Sequence, residues 1–376
     1  MEDKGICLSL VAAAYQVEAY VQRCIRSVLA CGYERLELIL VMGRSTDRTN
    51  EICRQYAHIE NVICIMQDQT GLSNARNCGI LAARGDFVAF LDADDFVLPG
   101  ALARYCCFLE ESAKSRDFDA LVNDFYFVNE QGQALSQSRQ IKAPHGRLLG
   151  NRYTARLIRA RGTFWNAWRY AYRREYLLSG QRKFAEGRNC EDLDFAVRAI
   201  LGGARLAFCH MPYYGYCPIR EDSLSNTKNR GMVRDFLIME RQLLSLCQED
   251  AQNGRQKYIR PSADRIGNSA ALAEKLKELL VLSLPDIYEV PRVDREKTAR
   301  SYRKMFVSCP PPDHRLLRVL FFLCRRQSIR AVSYLLWRLK RIRRKIKYQK
   351  GVSNADYKDT VSRQLLRRRK RHGCIL

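Results

Sequence analysis

Short apolar runs alternate with amphipathic helical segments through the first hundred residues, and this alternation constrains the fold more than any other feature. Each run has the length and β-branched content of a strand buried in a parallel sheet. The segments between the runs place apolar residues on one helical face. The predicted strands are Ile6–Ala12, Leu36–Met42, Asn61–Met66 and Asp86–Leu91, and the predicted helices are Val17–Cys31, Ser45–Ala57 and Ser73–Arg84. Strands separated by such helices predict an α/β fold with a mostly parallel, doubly wound sheet.

The rest of the 376-residue chain changes character in steps. Residues 99–216 mix helical and strand-like pieces, and the pattern is mainly helical after about residue 223. A proline-rich stretch over residues 308–313 has the composition of a linker. The predicted parts are an α/β domain (1–225), a helical extension (226–310), basic amphipathic helices (311–350) and a basic, disordered tail (351–376).

The fifteen cysteines favour a cytoplasmic protein. They are scattered through mostly apolar segments without a CxxC pair or the spacing of a zinc site, so we expect buried free thiols in a reducing compartment. The first residues lack the pattern of a signal peptide. No uncharged apolar run reaches the ~18 residues that a membrane span needs.

Three aspartates, Asp92, Asp94 and Asp95, directly follow the fourth predicted strand. Open parallel sheets bind ligands outside the carboxyl ends of their strands, so a functional cluster is expected here. Carboxylates at this density repel each other unless a cation neutralises them, and hard oxygen ligands suit Mn²⁺ or Mg²⁺. The alternative is a solvated acidic turn, but the position at a strand end favours the metal.

A series of motifs from about residue 6 to residue 226 carries a family resemblance. The strings are AYQVEAYVQRCIRSVLA, STDRTNEICRQYA, TGLSNARNCGILAARGDFVAFLDADD, FWNAWRYAYRREYL, GRNCEDLDF and YYGYCPIREDSLSN. In this order they resemble family 2 glycosyltransferases of the GT-A fold, particularly those that build bacterial capsular and exopolysaccharides. The resemblance implies a nucleotide-sugar donor such as a UDP-sugar, a lipid-linked or free glycan acceptor, and one divalent cation.

The resemblance also implies roles for four residues of the first hundred. Asp94 would coordinate the metal that bridges the donor diphosphate, and Asp92 would contact the ribose or support the metal. Arg76 would pair with the nucleotide side of the site. Tyr15 would line the pocket for the base and the ribose.

The catalytic base is expected in the second half of the match. An inverting transfer requires a group that removes the proton of the acceptor hydroxyl on the face opposite the leaving group. Glu191 and Asp192 match the family's Glu-Asp pair, and we predict Asp192 as the base, with Glu191 on the acceptor side. The alternative is a helix start enriched in acids, which the helix dipole favours. The upstream match favours the catalytic interpretation.

Three further residues carry weaker signals. Arg220 matches a basic position on a flexible segment that closes near the donor, so it either contacts the diphosphate or is a solvated loop arginine. Trp165 and Asn166 lie where the family often places acceptor-side residues. For a single tryptophan, packing in the core is the commoner role.

The base-binding corner departs from the family's pattern. The second strand of the family normally ends in Asp-Asp, and the first acid usually accepts a hydrogen bond from uracil, whereas this chain has Met42-Gly43. The usual Pro-x-Tyr-Asn is replaced by Ala13-Ala14-Tyr15-Gln16. Either the donor carries another base or binds mainly through its diphosphate, or the enzyme is weak, or the domain binds without catalysing. Because the metal acids, Arg76 and Asp192 are all retained, we favour an active enzyme over a non-catalytic donor- or glycan-binding scaffold.

The net charge of +24 is concentrated toward the C terminus, where residues 315–350 hold thirteen basic and no acidic side chains. Leucine and isoleucine recur there at helical spacing, with Tyr334 and Trp337 among them. This pattern is typical of a helix in the headgroup layer of an anionic membrane, so we predict peripheral attachment to the inner face of the cell membrane. The alternative is a helical hairpin with a solvated basic face. Nucleic-acid binding is disfavoured because no recognised motif accompanies the charge.

Overall fold

The computed structural model describes residues 7–115, 118–129, 131–138, 145, 165–180, 182–188, 191–201, 204–217, 299–300 and 336. These residues fall into two compact units. The first contains the described residues up to Tyr126 and from Gln137 to Tyr216, and the second includes Phe127–Ser136. Every site residue discussed below that the structure describes belongs to the first unit.

The described ranges contain nine strands and six α-helices. The strands are β1 (Leu8–Ala14), β2 (Leu36–Met42), β3 (Val62–Met66), β4 (Phe87–Asp92), β5 (Phe96–Val97), β6 (Ala120–Val128), β7 (Ala134–Gln137), β8 (Tyr170–Arg173) and β9 (Leu206–Tyr216). The helices are α1 (Val21–Leu29), α2 (Thr49–Arg54), α3 (Leu72–Ala82), α4 (Ala101–Ser115), α5 (Arg174–Ser179) and α6 (Glu191–Leu201). A short 3-10 turn over Ala167–Arg169 precedes β8.

The nine strands form one sheet, in which eight follow the order β3-β2-β1-β4-β8-β6-β9-β5 and β7 pairs with β6. β1 pairs in parallel with β2 and β4, and β2 pairs in parallel with β3. β8 runs antiparallel to β4 and β6, and β5 runs antiparallel to β9. The parallel half confirms the predicted α/β fold, with each of its strands and helices within a few residues of its predicted position. Among the antiparallel strands, β6 matches a strand predicted from the sequence over Asp119–Val128, β8 and β9 come from the region of mixed short elements, and the two-residue β5 was not predicted.

The core forms where the central strands are covered on both faces. β2 is buried along its whole length, and β1 and β4 are buried at all but one residue each. Such continuous burial is expected of parallel strands between two helical layers. On one side, Gly79 lets α3 lie directly against β1, because a Cβ at this position would lie 2.1 Å from Val11 Cγ1. This close contact fixes the helix that carries Arg76.

Several predictions concern residues outside the described ranges. This group includes Arg220, most of the helical extension, and the basic segment 311–350 except Leu336. Their predicted roles stay predictions. Among the residues that the structure describes, no helix is both long enough and apolar enough to span a bilayer. The ten cysteines in the described ranges are free thiols and mostly buried.

Candidate functional site

Three aspartates form a tight turn at the carboxyl end of β4. The Asp95 backbone N–H donates to the Asp92 carbonyl at 2.8 Å. The Tyr214 hydroxyl donates to Asp95 Oδ2 at 2.8 Å and accepts the Asp92 N–H at 3.2 Å, which fixes the turn against β9. One carboxylate oxygen from each of Asp92, Asp94 and Asp95 lies within 4.8 Å of the other two. Oxygen ligands at this spacing suit a hard divalent cation.

Arg76 is the buried cation of the site, with only 3% of its side chain exposed. Its Nη2 donates to Asp92 Oδ1 at 3.0 Å, and its Nη1 donates to Glu191 Oε1 at 3.1 Å and to Asp192 Oδ1 at 2.5 Å. Burial lowers the pKa of Arg76, but the three carboxylates outweigh this effect and raise the pKa above its ordinary value. When all three acids are ionised, one guanidinium leaves a surplus of negative charge, which adds to that of Asp94 and favours a second cation nearby.

Glu191 and Asp192 open α6, on an element distant in sequence from Arg76. Burial raises the pKa of Glu191 to about 7; the adjacent Asp192 acts in the same direction, and Arg76 opposes it. Burial also raises the pKa of Asp192 against the influence of Arg76. The second oxygen of Asp192 accepts the Ala167 N–H at 3.2 Å. Asp192 is therefore held at both oxygens, and a carboxylate with a raised pKa is suited to proton transfer near neutral pH.

One face of α3 holds a segment that the sequence analysis missed. The Asn77 amide donates to the Phe184 carbonyl at 3.0 Å and accepts the Phe184 N–H at 2.8 Å. Ser73 Oγ donates to the Ala185 carbonyl at 2.9 Å, and the Phe184 ring lies 5.2 Å from the Arg76 guanidinium carbon. One helical face carries three polar residues at spacings of three and four, Ser73, Arg76 and Asn77. This polar face was a sequence signal that could have predicted a contact with another segment.

The carboxyl ends of β1, β2 and β3 form a second part of the site. Tyr15 follows β1 and is 57% exposed, and Gln67 follows β3 and is buried. Between them lies Gly43, where an added Cβ would meet Tyr15 Cδ2 at 2.9 Å and Gln67 Nε2 at 3.0 Å. Glycine therefore leaves the room that both side chains use. The sequence analysis named Tyr15 and Gly43 but not Gln67.

Gln16, which stands at the position of the family's asparagine, has a local structural role. Its side-chain oxygen accepts the N–H groups of Thr46 and Asp47, both at 3.2 Å, and its Nε2 donates to Thr46 Oγ1 at 2.9 Å. The residue adopts a φ of 53°, in the left-handed region. The amide thus ties the end of β1 to the loop after β2.

The model of the Glycosyl transferase family 2 matches residues 9–174, a range that contains β1–β4, Arg76 and the three aspartates. The chain contains a family 2 glycosyltransferase domain. The family predicted from the motifs is confirmed. Glu191 and Asp192 lie beyond the matched range, and the ion pairs of Arg76 join them to it.

Curated relatives match part of the chain. The uncharacterized glycosyltransferase EpsJ of Bacillus subtilis (strain 168) is 33% identical over 218 residues, which cover 56% of this chain and 60% of EpsJ. The minor teichoic acid biosynthesis protein GgaB of the same organism is 33% identical over 117 residues, covering 30% of this chain and 13% of GgaB. The chain therefore spans less than two thirds of the length of these relatives.

A solved structure shows the same fold. Residues 1–349 of S. aureus TarS, in complex with UDP-GlcNAc, superpose with a TM-score of 0.62 at 17% sequence identity, over 93% of each chain. This likeness confirms the predicted GT-A fold.

The predicted acceptor-side residues lie next to the predicted base, Asp192. Trp165 and Asn166 are half-buried and directly precede Ala167, whose N–H donates to Asp192. The Asn166 carbonyl accepts the Arg169 N–H at 3.0 Å and starts the 3-10 turn. The structure therefore brings Arg76, Asp92, Glu191 and Asp192 into direct contact and places Trp165 and Asn166 beside them in the chain. Their individual roles stay predictions.

Proposed function

We propose that the chain is a metal-dependent, inverting glycosyltransferase that moves a sugar from a nucleotide-sugar donor to a hydroxyl of a glycan acceptor in cell-surface polysaccharide assembly. One observation carries the proposal. The guanidinium of Arg76 contacts an acid of the candidate metal cluster, Asp92, and the candidate base, Asp192, which lie a hundred residues apart in the chain. In an inverting transfer, the diphosphate leaves from one face of the donor sugar, and the acceptor proton is removed on the opposite face. The residues for these two tasks must therefore lie close together.

The acidic turn after β4 fits a divalent cation. Asp94 and Asp92 would hold Mn²⁺ or Mg²⁺, with Asp95 fixed beside them by Tyr214. The clustered carboxylates and their surplus charge match the oxygen ligands that these ions prefer. When bound, such an ion neutralises the charge that develops on the leaving diphosphate. The Arg76 guanidinium keeps Asp92 in place, and direct contacts of Arg76 and Arg220 with the donor belong to the same proposal.

Asp192 removes the proton of the acceptor hydroxyl in this mechanism. The hydroxyl oxygen forms its bond to the anomeric carbon while the bond to the diphosphate breaks, and the proton passes to the carboxylate. Arg76 favours the ionised form of Asp192 and so opposes the effect of its burial, because a cation at hydrogen-bond distance stabilises the charged form. Glu191, Trp165 and Asn166 lie close to this carboxylate in space or sequence and are proposed to face the acceptor.

The comparisons suggest the donor and acceptor classes to test first. TarS was solved with UDP-GlcNAc and with UDP, so UDP-sugars are the first donors. The name of GgaB refers to teichoic acid, and the basic segment 315–350 supports an acceptor linked to lipid at an anionic surface. We expect the full chain to float with anionic vesicles and not with neutral ones. Equal flotation with both would remove the electrostatic attachment.

The central experiment is a screen of nucleotide sugars by thermal shift, with and without Mn²⁺. A donor that binds the folded chain only with the metal raises the Tm only in its presence. The donor found in this way is then assayed for transfer and slow hydrolysis. Turnover by the wild type supports the enzyme, whereas metal-dependent binding without any turnover supports the non-catalytic binding homologue.

A further inference from the structure

Gln67 carries a buried polar atom that lacks a hydrogen-bond partner among the described residues. The residue follows β3, its backbone N–H donates to the Met42 carbonyl at 3.0 Å, and it is 6% exposed. Its side-chain oxygen Oε1 is buried and has no hydrogen-bond partner among the residues that the structure describes. Because buried polar atoms in folded proteins are almost always hydrogen-bonded, this oxygen marks a place where a partner is expected.

The Gln67 amide lies beside the aromatic ring of Tyr15 and the backbone of Gly43. The Gln67 Nε2 and the Tyr15 ring lie close to the same point above Gly43. The Gly43 carbonyl is already used, since it accepts the Asn50 Nδ2 at 2.8 Å. Met42, the neighbouring residue of β2, is buried and apolar. The Gln67 amide can both donate and accept, and its oxygen is free to accept among the residues that the structure describes.

The corner also lies at a suitable place relative to the acids. The register pairs Met66 with Met42, Met42 with Ala14, and Ala13 with Asp92, so the ends of the four parallel strands meet at one edge. Gln67 and Asp92 are thus separated by three strand spacings, about 14 Å in all. A donor whose diphosphate lies at the acids extends its ribose and base along this edge toward Gln67.

We propose that Gln67 recognises the base of the nucleotide-sugar donor, an inference that rests on the proposed function. The base stacks on Tyr15, and the amide pairs with an edge that presents an acceptor beside a donor, as O4 and N3–H of uracil do. The exposed Tyr15 ring moves to admit the base. A donor-and-acceptor pair from β3 then replaces the acid that the family has at the end of β2, and Gly43 provides the space for it.

The test compares two probes, UDP and ribose 5-diphosphate, which lacks the base. Their dissociation constants are measured by calorimetry with Mn²⁺ for the wild type and for Gln67→Met, an apolar replacement of similar length. We expect the preference of the wild type for UDP over ribose 5-diphosphate to fall by about 10- to 100-fold in Gln67→Met, as for loss of a two-bond base contact. The Gln67→Glu side chain can accept but not donate, so the preference of this variant for UDP should lie between those of the wild type and Gln67→Met.

Two controls separate the possible failures. Gln69→Met changes an exposed glutamine of the same loop and should keep the wild-type preference. Equal weakening of both probes in Gln67→Met would mean that the amide only supports the fold and would overturn the inference alone. If the wild type binds neither probe with or without Mn²⁺, the inference is wrong, and the proposed function fails with it only if no nucleotide sugar in the thermal-shift screen binds.

Discussion

The two halves of the candidate site are built on opposite principles. Around Arg76, three carboxylates converge on one buried guanidinium, and each is fixed by a hydrogen bond of 3.1 Å or less. At the corner of Tyr15, Gly43 and Gln67, an exposed ring and a glycine backbone lie near the Gln67 amide nitrogen, and the amide oxygen has no described partner. In the first region each of these side chains has a described partner, although the acids outnumber the cation, whereas in the second a buried polar atom has no partner among the described residues.

This difference separates chemistry from selectivity. A network of buried charges cannot lose one member without leaving the others uncompensated, so its residues can change only together. An incomplete polar corner can exchange a carboxylate on one strand for an amide on the next, because only the ligand must be satisfied. The departures from the family's pattern at Met42-Gly43 lie in this second region, while the acids and Arg76 are retained.

The largest expected effect is on the rate of transfer, which should depend on the charged region and not on the base corner. Asp192→Asn should lower the rate of transfer by about 10²- to 10⁴-fold, the usual contribution of a general base. UDP affinity should change little, because the base corner is untouched. Asp194→Asn is the matched control, since the Asp194 carboxylate lies on the same helix but pairs with Arg198 at 2.6 Å. Steady-state kinetics and UDP calorimetry check both variants, and equal turnover by wild type and Asp192→Asn would exclude Asp192 as the base.

The next effect is on the free energy of unfolding, which should depend on the pairing of charges around Arg76. Arg76→Met should lower the free energy of unfolding by about 3–5 kcal/mol, because it leaves three carboxylates without their buried cation. Adding Glu191→Gln to this variant relieves part of the repulsion and should recover more than about 1 kcal/mol. Denaturant unfolding in metal-free buffer measures both values. Additive losses in the double variant would show that the acids do not act as one network.

A smaller effect appears in the pH dependence of stability. The Glu191 pKa is raised from its ordinary 4.5 to about 7, so between these values the folded chain holds a proton that the unfolded chain releases. Stability from this group is therefore present below about pH 4.5 and is lost as the pH rises through 7. Between pH 5 and pH 8, the metal-free wild type should lose about 1–3 kcal/mol relative to Glu191→Gln. Parallel stability curves for the two proteins would contradict the raised pKa.

Local patterns made half of the fold predictable. Strands β1–β4 and the helices between them follow from apolar runs and helical periodicity within short windows. β8 could not be found in this way, because it has four residues and both Tyr170 and Tyr172 are buried. Its pairing with β4 depends on contacts between distant parts of the chain.

The site was predictable only as a set of separate residues. The motifs named Asp92, Arg76 and Asp192, but their meeting at one guanidinium depends on a fold that joins positions 116 residues apart. Gln67 gave no sequence signal, because a single glutamine after a strand is usually solvated. Its importance depends on burial and on an unmatched oxygen, which are properties of the packed structure.

The smallest expected effect tests whether the base corner depends on the space at Gly43. In Gly43→Ala, the new Cβ must displace Tyr15 and Gln67, which it would otherwise meet at 2.9 and 3.0 Å. We expect the KM for the donor to rise about 3- to 10-fold with kcat unchanged, as for mild overpacking. In the background of Gln67→Ala the contact with Tyr15 remains but the contact with the amide is gone, so the same change should cost less. An equal rise in KM in both backgrounds would mean that position 43 acts through something other than the Gln67 amide. The contrast between a charged region whose side chains are paired and a base corner with an unpaired amide oxygen would then lose its structural basis.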